Sequence, residues 1–439
     1  MMLGAVVGDI IGSYYEFRPT KDINFELFHK DSRPTDDTVM TLAVAEWIME
    51  DKGHTHERLS QYMRKWGRKF PHADYGEMFR RWLNDENAPA YGSYGNGGAM
   101  RVSPVGLYAS SLEEALRLAK ISAEVTHNHP EGIKGAQAVA AAVWMAKNGK
   151  KKEQIRNYIE EKFGYNLRQS LSDIRATYSF DVTASGSVPQ AIIAYLEGDN
   201  FEQVIRLAVS LGGDADTQAA LAASIAAATP DPNYHIPEKI KHYCLSLMHP
   251  RMINGMCAFL HFLKNPIIDA PIRNSYKVDE RIYAGEYPAT ANETLGREEL
   301  SRFLNFGITH FIDLTECAEL SPYHQWLPDD CCYIRHAVKD CGTPRSMHEV
   351  KELLETIIET IKENKNAKIY IHCRGGIGRT GTIVGCYYAM LFKNYTLANN
   401  LLQKQFSQCP KSYYRRTPET LEQRQFIMRY ADYISNSNR

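Results

Sequence analysis

The sequence predicts two domains, an all-α domain followed by an α/β domain with a central, largely parallel sheet. Three observations support this fold class. The chain has 439 residues, more than one ordinary hydrophobic core accommodates. Helical periodicity runs through residues 1 to about 263, whereas strand-like and helical segments alternate after that. Prolines interrupt the pattern in between, so we place the domains at 1–265 and 275–439.

Six segments of strong helix formers or of apolar residues at helical spacing predict the first domain. They are VMTLAVAEWIME (39–50), SLEEALRLAKISAEV (111–125), GIKGAQAVAAAVWMAKNG (132–149), VPQAIIAYLEG (188–198), FEQVIRLAVSL (201–211) and TQAALAASIAAAT (217–229). Clusters of Gly, Pro and Asn separate them, and few segments alternate like a strand. We therefore expect this domain to be all-α.

Strands and helices in alternation predict the second domain. The strand candidates are RIYAG (281–285), ITHFIDL (308–314), CCYIRHAV (331–338) and KIYIHC (368–373). The helix candidates are MHEVKELLETIIETIKENKN (347–366) and TGTIVGCYYAMLF (380–392). Because a parallel pair of strands needs a long, usually helical connection, this order predicts a largely parallel sheet.

Composition and charge exclude several classes of protein. A net charge of -1 gives no general attraction to nucleic acid or to an anionic membrane. No apolar run has the length of a membrane span, and the start MMLGAVVGDIIG lacks basic residues and contains Asp9, unlike a signal peptide. The nine cysteines begin at Cys244 and form no zinc-like CxxC pair, which favours reduced thiols. We therefore expect a cytoplasmic protein without a membrane partner.

The segment KIYIHCRGGIGRTGTIVGCYY is the most specific motif. A strand ends at His372 and Cys373, and Arg379 and Thr380 open a helix after a glycine-rich loop. Such a loop gathers backbone N–H groups that bind phosphate and stabilise a thiolate, the nucleophilic form of cysteine. An arginine there can bind two phosphate oxygens. The expected phosphate-binding loop residues are Arg374, Gly375, Gly376, Ile377 and Gly378.

This HCx5RT pattern closely resembles the cysteine-dependent phosphatases of the tyrosine and dual-specificity type. The resemblance implies a cysteinyl-phosphate intermediate on Cys373, transition-state binding by Arg379, help from Thr380 in hydrolysing the intermediate, and no cofactor. A general acid must protonate the leaving oxygen. Asp340 in HAVKDCGTP stands where the family has that acid, although a plain loop aspartate is the alternative. Gln423 matches a late glutamine of the family that positions water.

The length of the second domain resembles the small dual-specificity type. This leaves its substrate open between a phosphorylated protein and a phosphorylated small molecule. The basic run KSYYRRTPE (411–419) is typical of a solvated surface, so we do not expect nucleic acid as a partner.

Two acidic segments far apart in the first domain share one composition. They contain Thr35, Asp36 and Asp37 in RPTDDTVM, and Asp214, Asp216 and Thr217 in SLGGDADTQAALA. Each precedes or opens a predicted helix, so two separate N-caps are the simpler interpretation. Together, however, four carboxylates and two hydroxyls form an all-oxygen set suited to two Mg²⁺ or Mn²⁺ ions. Without cations the carboxylates would repel one another or hold protons, so we favour a metal site.

With GAVVGDIIGSYYEF, YGNGGAMRVSP and THNHPEGIKGA, these segments resemble the ADP-ribosylglycohydrolase family, in the family's order, over about residues 1–260. The resemblance implies an all-α fold and a binuclear Mg²⁺ or Mn²⁺ site with the six residues above as ligands. It also implies cleavage at the anomeric carbon of ADP-ribose through an oxocarbenium-like state. We favour Asp37 as the carboxylate that directs the attacking water. Glu16, which matches a gating acid of some members, is the alternative.

Further family positions imply substrate contacts. Gly97 and Gly98 in YGNGGAMR are expected to place their backbone against the diphosphate, although a plain turn is the alternative. The flanking residues are Asn96, Met100 and Ser103. His127 in VTHNHP aligns with a position near the substrate, where a purely structural histidine is the alternative.

The sequence thus predicts a bifunctional hydrolase that removes ADP-ribose from a modified protein or small molecule and hydrolyses phosphomonoesters. One alternative is a regulatory protein in which one domain binds ADP-ribose or phosphate without turnover. The intact catalytic groups argue against it. In another, both domains process one phosphorylated ADP-ribose-type metabolite or nucleic-acid end. Arginine-linked, serine-linked and nucleotide-linked ADP-ribose all remain open as substrates.

Overall fold

The computed structural model describes residues 2–264 and 269–436. The chain divides into two compact units, Met1–Leu263 and Lys264–Arg439. Residues 265–268, part of the predicted boundary, lie outside the described residues. Among the residues described, none of the helices has both the length and the apolar character that crossing a membrane requires.

The first unit is all-α, as the sequence predicts. Its α-helices are α1 (Met2–Gly12), α2 (Asp36–Glu50), α3 (His56–Lys69), α4 (Glu77–Asn84), α5 (Gly97–Met100), α6 (Ser103–Tyr108), α7 (Leu112–Glu124), α8 (Pro130–Lys147), α9 (Lys152–Phe163), α10 (Leu171–Thr177), α11 (Ala184–Glu197), α12 (Phe201–Val209), α13 (Ala215–Ala228), α14 (Glu238–Leu247) and α15 (Pro250–Lys264). A 3₁₀ helix covers Pro232–Tyr234, and an isolated β-bridge joins Gly95 to Thr183.

Three glycines on one face of α1 let this helix pack backbone against backbone on α13. They are Gly4, Gly8 and Gly12. Their four-residue spacing places them on one helix face. A Cβ atom at Gly8 would collide with the carbonyl of Ala219, and the other two meet α13 in the same way. The close packing brings Asp9 of α1 within the electrostatic reach of Asp216, in the first turn of α13.

The second unit is an α/β domain, again as predicted. Its strands are β1 (Ser275–Asp279), β2 (Ile282–Gly285), β3 (His310–Asp313), β4 (Cys332–Arg335) and β5 (Ile369–His372). They form one sheet in the order β1-β2-β5-β3-β4. Only the β1–β2 pair is antiparallel within this sheet. The predicted strands correspond to β2 to β5. Strand β1 was not predicted, because a short edge strand followed by a tight turn carries little periodicity.

Helices cover the sheet, and the functional loops lie at the carboxyl ends of its parallel strands. They are α16 (Glu293–Phe306), α17 (Met347–Glu363), α18 (Gly378–Phe392), α19 (Tyr395–Phe406) and α20 (Leu421–Asn436), with 3₁₀ helices at His324–Trp326 and Pro410–Tyr413. Because β2, β5, β3 and β4 are parallel, the loops that follow them leave the sheet at the same end. Ligands of open α/β sheets bind at that end.

Two candidate active sites

The first unit gathers six carboxyl groups around the ends of α1, α2 and α13. They are Asp9, Glu16, Asp36, Asp37, Asp214 and Asp216. Carboxylate oxygens of Glu16, Asp214 and Asp216 lie within 4.8 Å of one another. The hydroxyl of Thr217 donates to Asp37 Oδ1 at 3.2 Å. The structure therefore brings the two acidic segments of the sequence together.

Asp9 fixes the start of α2. Its Oδ2 accepts from the backbone N–H of Thr35 at 3.0 Å and of Thr38 at 3.1 Å, and both threonine hydroxyls donate to the same carboxylate. Thr35 is also the N-cap of α2, since its hydroxyl accepts from the Asp37 N–H at 3.3 Å. The segment RPTDDTVM is therefore both a helix N-cap and part of the acid cluster. The cap at Thr35 places Asp36 and Asp37 in the cluster. Asp9 lies in GAVVGDIIGSYYEF, one of the segments that carry the family resemblance, but the sequence predicted no role for it.

Burial raises the pKa of every carboxyl group in the cluster, and repulsion between the carboxylates adds to this for all of them except Asp216. Burial first, and then the charge of Asp216, raises the pKa of Asp9 to about 7 and that of Glu16 to about 9. The same causes hold the pKa of Asp36, Asp37 and Asp214 well above the usual range. Burial also raises the pKa of Asp216 itself. A cation in the cluster would relieve this repulsion.

The donor atoms fit a divalent cation. Asp37 Oδ2 is buried and accepts no hydrogen bond from the described residues, although buried polar atoms nearly always have a partner. Carboxylate and hydroxyl oxygens are the ligands that Mg²⁺ and Mn²⁺ prefer. Among the six predicted ligands, the hydroxyl of Thr35 already forms hydrogen bonds to Asp9 and to the backbone of α2.

His127 lies against Gly97 and Gly98, the first two residues of the short helix α5, which we call the Gly97–Gly98 turn. A Cβ atom at Gly97 would lie 2.8 Å from His127 Nε2, so this close approach requires glycine. The Thr126 hydroxyl accepts from Arg101 Nη2 at 2.9 Å and lies 2.8 Å from His127 Nδ1. Burial lowers the pKa of His127 well below its usual value. The ring is thus neutral, and its Nε2 faces Gly97.

The residues that flank the turn have separate environments. Asn96 Nδ2 donates to Asp214 Oδ2 at 2.6 Å and to Ser187 Oγ at 3.1 Å, which links the turn to the acid cluster. Met100 is buried. The Ser103 hydroxyl is buried and has no hydrogen-bond partner in the described parts of the chain. Asn96 is therefore placed to orient Asp214.

The second site is the loop between β5 and α18, which we call the phosphate loop (residues 373–379). The Gly376 N–H points at Cys373 Sγ at 3.3 Å, and Cys373 borders a cavity of about 340 Å³. Gly376 has a φ of 70°, and a Cβ atom there would collide with the backbone of Gly285. The Thr380 hydroxyl is buried and without a partner among the described residues. The predicted residues that also line the cavity are Asp340, Arg374, Gly375, Ile377, Gly378 and Arg379.

Arg379 is held by an acid that no sequence motif marks. Its Nη1 and Nη2 donate to Glu319 Oε2 and Oε1, each at 2.7 Å. Nη2 also lies 3.0 Å from Asp340 Oδ1, and Nη1 donates to the Val338 carbonyl at 3.1 Å. The hydrogen bonds from Arg379 lower the pKa of Glu319. Glu319 follows β3, so only the sheet topology brings it to Arg379.

Gln423 joins the loop after Asp340 to the phosphate loop. It is fully buried, donates through Nε2 to the Gly342 carbonyl at 2.9 Å and accepts from the Thr420 N–H at 3.0 Å. A Cβ atom at Gly378 would lie 2.9 Å from Gln423 Nε2. The role of Gln423 in positioning water stays a prediction.

Comparison with known sequences identifies both domains as hydrolase domains. A family model described as ADP-ribosylglycohydrolase matches residues 1–246. A second, described as Swiss Army Knife protein, DSP-PTPase phosphatase domain, matches residues 281–427. The chain belongs to the ADP-ribosylglycohydrolase family and also contains a phosphatase domain of the dual-specificity type.

Similar proteins match each domain separately. ADP-ribosylhydrolase ARH3 of Homo sapiens is 28% identical over 302 residues, which cover 52% of this chain and 83% of that protein. ADP-ribosylarginine hydrolase Tri1 of Pseudomonas putida is 26% identical over 257 residues, covering 52% and 68%. Among solved structures, an ADP-ribosylglycohydrolase-related protein complex is 26% identical, with a TM-score of 0.42 and coverage of 57% and 95%. Tk-PTP in the active form is 21% identical, with a TM-score of 0.29 and coverage of 36% and 97%.

Proposed function

We propose that the first site removes ADP-ribose from a modified protein or small molecule and that the second hydrolyses phosphomonoesters. The observation that carries the first activity is the union of the two acidic segments, with Asp37 bonded to Thr217. The observation that carries the second is the Gly376 N–H directed at Cys373 Sγ in a cavity that Arg379 also lines. All the catalytic groups are present in both sites, which favours turnover over simple binding.

At the first site we propose two Mg²⁺ or Mn²⁺ ions. The proposed ligands are Thr35, Asp36, Asp37, Asp214, Asp216 and Thr217. When bound, the ions would offset the carboxylate charge, hold the ribose hydroxyls and lower the pKa of a nearby water. The raised pKa values of the carboxyl groups and the unpaired Asp37 Oδ2 support this assignment.

Asp37 is our candidate for directing the water to the anomeric carbon. Thr217 fixes its Oδ1, so Oδ2 remains to accept a hydrogen from the water. Glu16 is the alternative, since it is half-buried beside Asp214 and Asp216.

His127 and the Gly97–Gly98 turn are proposed to bind the diphosphate. In the tautomer whose Nδ1 accepts from the Thr126 hydroxyl, the neutral ring of His127 would donate from Nε2 on the side of the turn, and the glycines leave the backbone accessible. Because these donors are neutral, they can bind a diphosphate without adding a positive charge that would repel the cations in the cluster.

At the second site Cys373 Sγ is proposed to attack the phosphorus while the bond to the leaving oxygen breaks. Asp340 gives a proton to that oxygen. A water then attacks the phosphorus, Asp340 takes its proton, and Cys373 leaves as the thiolate. Arg379 would exchange its contact with Asp340 for phosphoryl oxygens, and the unpaired Thr380 hydroxyl is available to assist the second step.

The proposed partners follow from the two chemistries. The names of ARH3 and Tri1 indicate ADP-ribosyl substrates for those relatives, which supports an ADP-ribosylated partner for the first site. The second site would take a phosphorylated protein or small molecule. The nine free cysteines support a reducing compartment such as the cytoplasm.

Two experiments test the mechanism. Metal-free protein titrated with Mn²⁺ in a calorimeter should bind two ions, and peptides carrying arginine- or serine-linked ADP-ribose should release ADP-ribose only with the metal. Release in excess chelator would refute the metal site, and binding of ADP-ribose without any release would favour the regulatory alternative.

Rapid quenching with a ³²P-labelled phosphomonoester should trap label on the wild type and none on Cys373→Ser.

A further inference from the structure

Three carbonyl groups of the phosphate loop accept hydrogen bonds from residues outside the loop. These carbonyls therefore face outward, which leaves the inner side of the loop to its N–H groups. The Arg374 carbonyl accepts from the Tyr287 N–H at 3.3 Å. The Ile377 carbonyl accepts from the Thr417 hydroxyl at 2.7 Å. The Gly375 carbonyl accepts from the ammonium group of Lys411 at 2.7 Å. Because successive N–H groups can converge on an anion only when the carbonyls face away from it, these bonds fix the binding conformation.

Lys411 is the charged member of this set. The sequence predicts a solvated basic run at 411–419, but Lys411 is only 8% exposed. The prediction was wrong at this residue because its ammonium group forms an ion pair with Glu286 at 2.6 Å. Glu286 follows β2 and is itself fixed, since its other oxygen accepts from Asn274 Nδ2 at 2.9 Å. Lys411 thus joins the end of β2 to the phosphate loop.

Lys411 is charged in the folded protein. Burial would lower the pKa of Lys411, but the charge of Glu286 and the hydrogen bond to it outweigh burial and raise this pKa. A charged donor forms a stronger hydrogen bond than a neutral one, so the bond from Lys411 holds the Gly375 carbonyl firmly.

We propose that Lys411 is a positioning residue for the phosphatase reaction. Through the Gly375 carbonyl it holds the phosphate loop in the conformation that directs the Gly376 N–H at Cys373 Sγ. Glu286 keeps the ammonium group in place. This inference rests on the proposed role of Cys373. It assigns a role to Lys411, the first residue of the basic run 411–419, which the proposed function does not involve.

The test compares full-length Lys411→Met, Lys411→Arg and Glu286→Gln with the wild type. Lys404→Met is the matched control, because Lys404 is exposed on the neighbouring helix α19. One readout is the pH profile of Cys373 alkylation by iodoacetamide, with Cys373→Ser identifying the modified thiol. The other is kcat and KM for para-nitrophenyl phosphate.

For Lys411→Met we expect the alkylation profile to move to higher pH, because a released phosphate loop no longer directs the Gly376 N–H at Cys373 Sγ. We expect kcat/KM to fall on the order of 10–100-fold. Lys411→Arg should restore the profile but only part of kcat, because the larger guanidinium group displaces the loop. Glu286→Gln should change both readouts in the same direction as Lys411→Met, and Lys404→Met neither.

A wild-type profile together with kcat/KM within twofold in Lys411→Met would overturn the proposal. If Lys411→Met does not fold, wild-type values of both readouts in Lys411→Arg and Glu286→Gln would overturn it equally. If the wild type releases no phosphate, the proposed function fails, and the alkylation profile alone decides the role of Lys411.

Discussion

The hydroxyl of Thr217 donates a hydrogen bond to Asp37 Oδ1 at 3.2 Å, although 180 positions separate the two residues. The contact joins the N-terminal ends of α2 and α13. A helix N-terminus favours a negative charge, but a cap needs only one oxygen acceptor. The cluster around Asp37 contains far more carboxylate than two caps use. This surplus is the physical reason for expecting cations there.

Divalent cations are expected to stabilise the first unit. A ligand that binds only the folded state at 100 times its Kd adds about 2.7 kcal/mol to the free energy of unfolding. Mn²⁺ should therefore raise the Tm of the wild type in calorimetric scans. Asp37→Asn should lose most of this increase, while Asp173→Asn, at an exposed position, should keep it. An equal increase in Asp37→Asn and the wild type would exclude Asp37 as a ligand.

Gly97→Ala is expected to weaken substrate binding. Its Cβ atom would lie 2.8 Å from His127 Nε2, so the turn and the ring must separate. Overpacking of this kind costs about 1–3 kcal/mol. We expect a higher KM for ADP-ribose release and a weaker Kd for ADP-ribose by calorimetry. Gly76→Ala is the control, since a Cβ atom there meets nothing within 4 Å. Unchanged binding in Gly97→Ala would remove His127 and the turn from the substrate site.

Gly8→Ala is expected to destabilise the first unit. The new methyl group would collide with the backbone of α13 at Ala219, which cannot move like a flexible side chain. Denaturant unfolding should show a loss of about 1–3 kcal/mol or more relative to the wild type. Gly76→Ala replaces the N-cap glycine of α4 and meets no atoms, so it should lose only about 1 kcal/mol or less. If Gly8→Ala is equally harmless, the glycine face of α1 does not bring Asp9 to Asp216.

The ion pair between Glu319 and Arg379 predicts a pH dependence of stability. The hydrogen bonds from Arg379 lower the pKa of Glu319 in the folded protein below the unfolded value. Such a group adds stability above its unfolded pKa, about 4.3, and loses it as the pH falls through the folded pKa. Between about pH 5 and pH 3 the free energy of unfolding should therefore decrease more in the wild type than in Glu319→Gln. Parallel decreases in denaturant titrations at each pH would contradict this.

Residues in contiguous motifs could be predicted from the sequence, whereas those that depend on long-range contacts could not. The HCx5RT loop and the paired acids stand out because neighbouring residues together make an unusual composition. Asp9 contacts Thr35 across 26 positions, and Glu319 contacts Arg379 across 60. The family resemblance covers the segment of Asp9 but assigned it no role, and Glu319 lies in no motif. The packing of the helices and the topology of the sheet bring these two acids to their partners.

Two further features were not predicted, the burial of Lys411 and the edge strand β1. Lys411 has the sequence context of a surface residue, and only the carboxylate of Glu286 makes its burial favourable. Strand β1 lies at the sheet edge, where one hairpin partner suffices and the periodic signal is short.

The central claim is that one chain contains two independent hydrolytic sites, and release of both products from one preparation tests it most directly. Wild type, Asp37→Ala and Cys373→Ser are incubated with Mn²⁺, an ADP-ribosylated peptide and para-nitrophenyl phosphate, and ADP-ribose and phosphate are quantified together. The account predicts that Asp37→Ala loses ADP-ribose release and keeps phosphate release, and that Cys373→Ser does the reverse. Wild-type rates of ADP-ribose release in Asp37→Ala, or of phosphate release in Cys373→Ser, would contradict it.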